Sequence, residues 1–233
     1  MISKPQRDDW LAAARLSPVL AAAGESSLAE LQGAVLCHTY PKNNILFYQG
    51  EPARSVYLVV SGEVKVGLTN EEAKEVVIRL VRAGGLVGLA AVVDGGVEPA
   101  TAITVTRARL ARFGGPELVR WVEAHPAAQA ALLRELATRV REGYQKIGEH
   151  ALLTVKERLL SALLEIAERE GEPNPGGDGI VFTRPTHQEL ADRIGSSREV
   201  VSRVLKELLE GDLLEAEGRI IRVSESALVL RDD

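Results

Sequence analysis

The sequence predicts an α+β chain in three parts: an N-terminal antiparallel β-roll of jelly-roll type over residues 1–128, a long helix over 129–152, and a C-terminal unit of paired short helices and a hairpin over 153–233. Three observations predict it. Short apolar runs divided by glycines fill the first half, apolar residues recur in steps of four and three beyond residue 130, and two helix starts ten residues apart precede a pair of short strands.

In the first part, the strand candidates are Ile45–Tyr48, Ser55–Val60, Glu63–Val66, Glu75–Val81 and Thr101–Val105. Gly50, Gly62, Gly84, Gly85, Gly88, Gly95 and Gly96 punctuate them, and short strands at such spacing point to a β-sandwich or barrel. In the second part, Leu133, Ala137, Val140, Tyr144, Ile147 and Ala151 trace a heptad seam. A single buried amphipathic helix shows the same pattern over so few turns, so core packing stays open beside a dimer axis.

The third part carries the most information. Thr186 and Glu189 form a T-x-x-E capping box, and Ser196 with Glu199 is read as a second one. Ala191 is small where two helices cross closely, and Gly195 supplies the positive φ that ends the first helix. At about 100° per residue, Val200, Val201, Val204, Leu205 and Leu208 fall on one side of the second helix. Arg198, Glu199, Ser202 and Arg203 fall on the other. Downstream, Leu213–Val223 reads as two strands around a turn at Glu217 and Gly218, and upstream Gly179–Thr183 reads as another strand. This is the pattern of a winged helix-turn-helix that reads double-stranded DNA, the bland alternative being a solvated amphipathic face.

On that reading Arg198, Glu199, Ser202 and Arg203 face the bases, because Arg pairs with guanine O6 and N7 and Glu accepts from cytosine N4. Lys156, Thr186, His187 and Ser197 are assigned to phosphates. A helix-turn-helix reader grips two half-sites about one DNA turn apart, which favours the seam as a homodimer axis.

The charge balance runs against easy DNA binding. The chain is at −5, and from Leu152 onward it holds 11 Lys and Arg against 17 Asp and Glu. Non-specific attraction is therefore weak, and a few placed cations and helix N-termini must do the phosphate work. One cysteine forms no internal disulfide, which fits a cytoplasmic protein. No apolar run approaches the ~18 to 20 residues of a membrane span, and the N-terminus has no secretory h-region.

The order of parts, with residues 40–50 and 56–66 in the roll and the run Gly195–Arg203, resembles the Crp/Fnr family of bacterial transcription regulators over nearly the whole chain. The resemblance implies a cyclic-nucleotide-binding-like sensor domain, a dimer helix, and RNA polymerase as a partner. It also implies that Arg198, Glu199 and Arg203 match the base-reading positions of the cyclic-AMP receptor branch, with TGTGA-like half-sites. Ser202 is more like the Fnr branch, whose half-site resembles TTGAT; Arg198 favours TGTGA.

The sensor segment departs from the family. Cyclic-nucleotide binders read like G-E-L-x-R-S there, whereas an ungapped placement puts Leu89 after Gly88 for the glutamate, Pro99 for the arginine and Ala100 for the serine. Gly143 and Tyr144 stand where the long helix presents a hydroxyl pair, and Tyr144 is expected to fill the cavity. A phosphate finds no cation or hydroxyl in such a pocket, so cyclic-AMP independence is expected, with no effector or a non-nucleotide one. The lining Leu89, Val92, Val93 and Pro99 is expected either to take a small apolar or mixed ligand or to collapse on itself.

Cys37 alone cannot hold the four-cysteine iron–sulfur cluster of the Fnr branch, and no metal site or cofactor is expected. A haem-based gas sensor remains the alternative, with Cys37, His38, His125 and His150 as candidate ligands. An enzyme on the roll would need clustered histidines and carboxylates, which residues 40–110 lack, so no catalytic residue is assigned.

Overall fold

The structure is a computed structural model and describes residues 4–69, 75–175, 177, 179–211 and 214–224, with side chains from Trp10 onward. In chain order its elements begin with α1 (Lys4–Leu16), α2 (Pro18–Ala21), α3 (Glu25–Leu31), β1 (Leu36–Tyr40) and β2 (Ile45–Phe47). Then come β3 (Ser55–Ser61), β4 (Val64–Thr69), β5 (Glu75–Val81), β6 (Leu86–Val87) and α4 (Leu89–Asp94). β7 (Thr101–Thr104), β8 (Ala108–Gly114), α5 (Gly115–Ala124), the long α6 (Pro126–Leu152) and α7 (Val155–Glu170) follow. The chain closes with β9 (Glu172–Pro173), β10 (Ile180–Thr183), α8 (His187–Ile194), α9 (Arg198–Leu209), β11 (Leu214–Glu217) and β12 (Ile220–Val223).

Two compact units divide the chain, one of Met1–Asn70 with Val77–Gly143, the other of Glu71–Val76 with Tyr144–Asp233. The first holds the roll, with sheets ordered β1-β8-β3-β6 and β2-β7-β4-β5. β3 is buried over five successive residues because both its faces are covered. Val56 and Leu58 join a core with Trp10, Leu20, Leu28 and Phe113, while Tyr57 and Val59 face the roll interior with Val64, Ala102 and Leu110. The two-residue period of a strand sends alternate side chains to these two cores. Where α6 meets the sheet, the Glu135 carboxylate lies 2.9 Å from Arg139 and 3.5 Å from Arg79, and both guanidinium groups donate to the Leu86 carbonyl.

Of the strand candidates, Glu75–Val81 agrees to the residue, and the other four are displaced by one to three residues at an end. The sequence reading missed β1, β6, β8 and five helices of this unit. In β8, arginines at 109 and 112 interrupt the apolar alternation, yet Leu110, Ala111 and Phe113 are fully buried. Arg112 spends its charge at the surface by donating to the Ser55 hydroxyl at 2.8 Å.

The second unit packs α7, α8 and α9 over the sheet β11-β12-β10-β9. Leu159, Leu163, Leu190, Ile194, Val201, Leu205, Leu208, Ile221 and Val223 share one core. The hairpin turn falls on Gly218 and Arg219, with Gly218 at φ 62°, one residue later than the sequence suggested. Leu213, expected at the start of the first wing strand, lies outside the described residues.

Candidate DNA interface and sensor site

The reader begins at Thr186, whose hydroxyl accepts from the Glu189 amide while the Glu189 carboxylate accepts from the Thr186 amide at 2.7 Å. This reciprocal box satisfies two of the amides that a helix start leaves open. α8 closes at Gly195, in the left-handed region at φ 62°. The Gly195 and Ser196 amides both donate to the Ala191 carbonyl, so Ser196 still belongs to the closure of α8. That is why the second box expected at Ser196 and Glu199 does not form. The chain turns extended one residue later, and Ser197 caps α9 by accepting from the Val200 amide at 3.3 Å.

On α9, Val201, Val204, Leu205 and Leu208 are buried, Val200 is half-buried, and Arg198, Glu199, Ser202 and Arg203 are exposed. Burial thus leaves all four expected base-facing side chains on the outer surface. Arg203 has a 4.0 Å ion pair with Glu207, an exposed contact that holds it weakly. The Glu199 carboxyl is held below the usual range by its own backbone amide and by the Ser197 hydroxyl. It is an acceptor near neutrality, as a cytosine amino group requires.

Around this face lie cations that sequence reading did not single out. His187 is flanked by Arg184 and Arg198; burial first, then these two charges, push its imidazole below the usual histidine range. Its Nε2 is buried without a hydrogen-bond partner. Arg219 of the wing turn donates twice to the Arg184 carbonyl, at 2.8 and 3.2 Å, tying the wing to the segment ahead of α8. Arg158 donates to the Ile194 carbonyl at 3.1 Å and to Leu153 at 2.9 Å, which anchors the end of α8. Glu165 pairs with Arg193 at 2.7 Å; burial raises its carboxyl, and the Arg193 bond and charge outweigh this and lower it. Single arginines scattered through an acidic stretch carry no local pattern, which is why they escaped notice. Lys156 is exposed in the first turn of α7, after the Thr154 capping box.

Along α6 the six seam residues are all exposed, Leu133 by 69%, Val140 by 53% and Ile147 by 65%. The residues that α6 buries are Ala128, Ala131 and Leu132, on another face, so intrachain core packing does not account for the seam. Tyr144, expected to fill the sensor cavity, is 71% exposed and belongs to this stripe; Gly143 is half-buried.

The sensor segment is also rearranged. Gly88 opens α4 in the left-handed region, which commits Leu89 and Val92 to the core with Trp121 and Phe113. Val93 and Pro99 are exposed. The expected lining of Leu89, Val92, Val93 and Pro99 is therefore not a pocket wall. Ala100 faces inward as expected, but so does Glu98, which sequence reading passed over and which is only 3% exposed. Glu98 is pushed up to about 7 by its own burial and by the nearby Glu51 carboxylate.

Among the described residues no group of three or more His, Cys, Asp or Glu side chains is placed to hold a metal ion. His125 stacks on Trp121 with ring centroids 4.7 Å apart, its Nδ1 lying 2.7 Å from the Trp121 carbonyl. Cys37 and His38 lie on β1, whose side chains alternate between opposite faces.

Comparison with known proteins agrees with this geometry. The cyclic nucleotide-binding domain family matches residues 37–125, and the Crp-like helix-turn-helix domain family matches residues 157–229. The CRP-like cAMP-activated global transcriptional regulator of Mycobacterium tuberculosis is 27% identical over 206 residues, 88% of this chain and 92% of that protein. The cAMP-activated global transcriptional regulator CRP of Escherichia coli O157:H7 is 30% identical over 188 residues, 80% of this chain and 88% of that protein. Among solved structures, a CRP/FNR family transcriptional regulator of Thermus thermophilus has TM-score 0.63 and 27% identity, covering 85% of this chain and 99% of that one. The regulator CLP of Xanthomonas campestris, TM-score 0.72 at 24% identity over 85% and 98% of the two chains, shares the fold.

Proposed function

The chain belongs to the Crp/Fnr family of DNA-binding transcription regulators, which are not enzymes, and on that premise we propose that it acts as a homodimer reading paired TGTGA-like half-sites without cyclic AMP. The observation that carries this reading is the exposed quartet Arg198, Glu199, Ser202 and Arg203 on a helix whose opposite face is locked into the core. Two arginines supply bidentate donors for guanines and the glutamate supplies the acceptor for a cytosine amino group. Lys156, His187 and the capped helix starts at Thr186 and Ser197 set the register by phosphate contacts.

Two copies are needed because one reader covers only half of a palindrome, and the exposed apolar stripe from Leu133 to Ala151 is the surface that a second copy buries. Independence from cyclic AMP follows from the chemistry of the segment Gly88–Ala100, where a cyclic phosphate meets Leu89, an outward Pro99 and Ala100 instead of an acid, a cation and a hydroxyl. RNA polymerase is the downstream partner that this mode of action requires.

Selection of bound sequences from a random duplex pool tests the reading. The expected product is a palindrome of TGTGA-like half-sites about one helical turn apart. Arg203→Ala relaxes one base pair at a loss of about 1 to 3 kcal/mol, while Lys156→Ala weakens all duplexes alike and lowers the salt slope by about one. An unordered pool, or unchanged base preference in Arg203→Ala, rejects α9 as the reader. Titration calorimetry with cyclic AMP is expected to show no binding heat.

A further inference from the structure

We infer that Arg158 is a positioning residue that fixes which half-site spacing this chain accepts, by bracing the reader against the tail of α6. The inference rests on the reading that two copies pair along α6, and it adds the side chain that turns this pairing into a ruler on DNA.

The joint between the two parts is short. α6 ends at Leu152 and α7 begins at Val155, so only Leu153 and Thr154 lie between the helix of the stripe and the helix that leads into the reader. The C-terminal unit takes in α6 from Tyr144 onward, and within it α7 shares one core with α8 and α9 through Leu159, Leu163, Leu190, Ile194 and Val201. Close packing makes these three helices one body. The backbone of Leu153 and Thr154 keeps a few soft dihedrals, so the contacts that cross this joint decide the angle at which α9 is presented.

Arg158 crosses it. Its Nε donates to the Ile194 carbonyl at 3.1 Å, and its Nη1 donates to the Leu153 carbonyl at 2.9 Å and to the His150 carbonyl at 3.5 Å. His150 stands in the last turn of α6 and Ile194 is the last residue of α8, so the guanidinium serves carbonyls that two helix ends leave open. A planar fork with donors on separate nitrogens reaches both ends from one side chain. Arg158 is half-buried and commits three N–H groups to protein carbonyls, whereas Lys156 two residues earlier is exposed. It is a brace and not a phosphate ligand.

Two neighbouring contacts act in the same place. The His150 ring lies against Gly195, where an added methyl would come within 2.6 Å of its Cε1. Arg193 is held by Glu165 of α7 at 2.7 Å, and Glu165 also feels the Lys146 charge from α6. Residues 193–195 are thus tied to the tail of α6, directly or through α7, just ahead of Ser197, which caps α9.

In a dimer joined along that tail, the braces set the separation of the two α9 helices. A half-site displaced by one base pair lies about 3.4 Å farther along the duplex and is turned by about 35°. A braced reader cannot follow it. A reader free to turn about Leu153 and Thr154 can.

The test takes the palindrome that the full chain selects from a random pool and remakes it with the half-sites one base pair closer or farther apart. The unmodified chain is expected to bind the altered duplexes at least about tenfold more weakly, and Arg158→Ala only about threefold or less. The base preference and salt slope of the variant should stay unchanged. Lost stability alone weakens all duplexes alike and leaves the spacing penalty as it was. Arg158→Lys keeps the charge but carries its donors on one atom, so its penalty should fall between the two. An unchanged penalty in Arg158→Ala overturns the proposal; should that variant fail to fold, an unchanged penalty in Arg158→Lys does so. A shallower salt slope in Arg158→Ala also overturns it, because Arg158 is then a phosphate contact. If the unmodified chain accepts all three spacings equally, the brace falls while the palindrome stands; a pool without a palindrome removes the paired reader itself.

Discussion

In the C-terminal unit the polar side chains that shape the surface are settled at helix starts: Thr154 and Thr186 each close a reciprocal capping box, and Ser197 caps α9. The charges that matter there, Arg198, Glu199 and Arg203, stay in water. In the β-roll the opposite holds, since Glu98 is taken inside and Tyr40 and Tyr57 have their hydroxyl pKa raised first by burial. The difference is between charges kept in water and an acid taken into the folded interior. The capped helix starts leave the charged face of α9 in water, although one atom of this unit, His187 Nε2, is buried without a hydrogen-bond partner.

The largest expected effect concerns the stripe on α6. On the proposed homodimer Val140→Glu would set like charges against one another across the two-fold axis; sedimentation should show monomers and operator binding should be lost. A dimeric, DNA-binding variant would show that the stripe on α6 is not the proposed dimer axis.

Next comes the reader's core. Leu190 is fully buried in the helix cluster, and Leu190→Ala is expected to lose about 3 to 5 kcal/mol in urea unfolding. A loss near 1 kcal/mol would mean that the reader is held by its caps and ion pairs more than by packing.

The buried acid of the roll has its own signature. Because folding raises the Glu98 pKa from about 4.5 to about 7, its folded form keeps a proton that the unfolded chain releases. Its contribution is intact below pH 4.5 and fades as pH rises to 7. The lowered carboxyls Glu157, Glu165 and Glu199 act in the reverse sense on the acid side. The stability difference between the unmodified chain and Glu98→Gln isolates the Glu98 term; it should shift in favour of the variant between pH 5 and 8. A constant difference would mean that Glu98 is hydrated like the reader's surface acids.

The smallest effect sharpens the reader's side. Burial, with the charges of Arg184 and Arg198, lowers the His187 pKa; on the proposed phosphate contact a DNA phosphate would offset both charges, and binding is then expected to take up a proton. Operator affinity should rise about three- to tenfold as pH falls from 7.5 to 6, and His187→Gln should flatten the profile. Equal slopes in both proteins would assign the pH response elsewhere.

Legibility differed between the regions for physical reasons. The box at Thr186 and Glu189, the stop at Gly195 and the buried valines and leucines of α9 were readable because helix signals act within about four residues. Beside the one-residue offset of the wing turn, a local error, Ser196 for Ser197 as the second cap, arose where the closure of α8 uses one more amide than the minimum. In the roll, Glu75–Val81 was legible and β8 was not, because burial of Leu110 beside arginines depends on β1 and β3 pairing on either side. Glu98 was invisible for the same reason, as was the departure of Leu89 and Val92 from the expected pocket into the core.

Sequence alone determined the order of parts, the outward quartet of α9 and the stripe of α6. Each follows from a period or a spacing that a short stretch of chain enforces by itself. Only the tertiary structure decided that Glu98 and not Pro99 points inward, that Arg184 and Arg198 converge on His187, and that Tyr144 lies outside. Those outcomes turn on which loop hydrogen-bonds to which, as in Gly50 and Glu51 with Glu98, where a one-residue change in register exchanges the inner and outer faces.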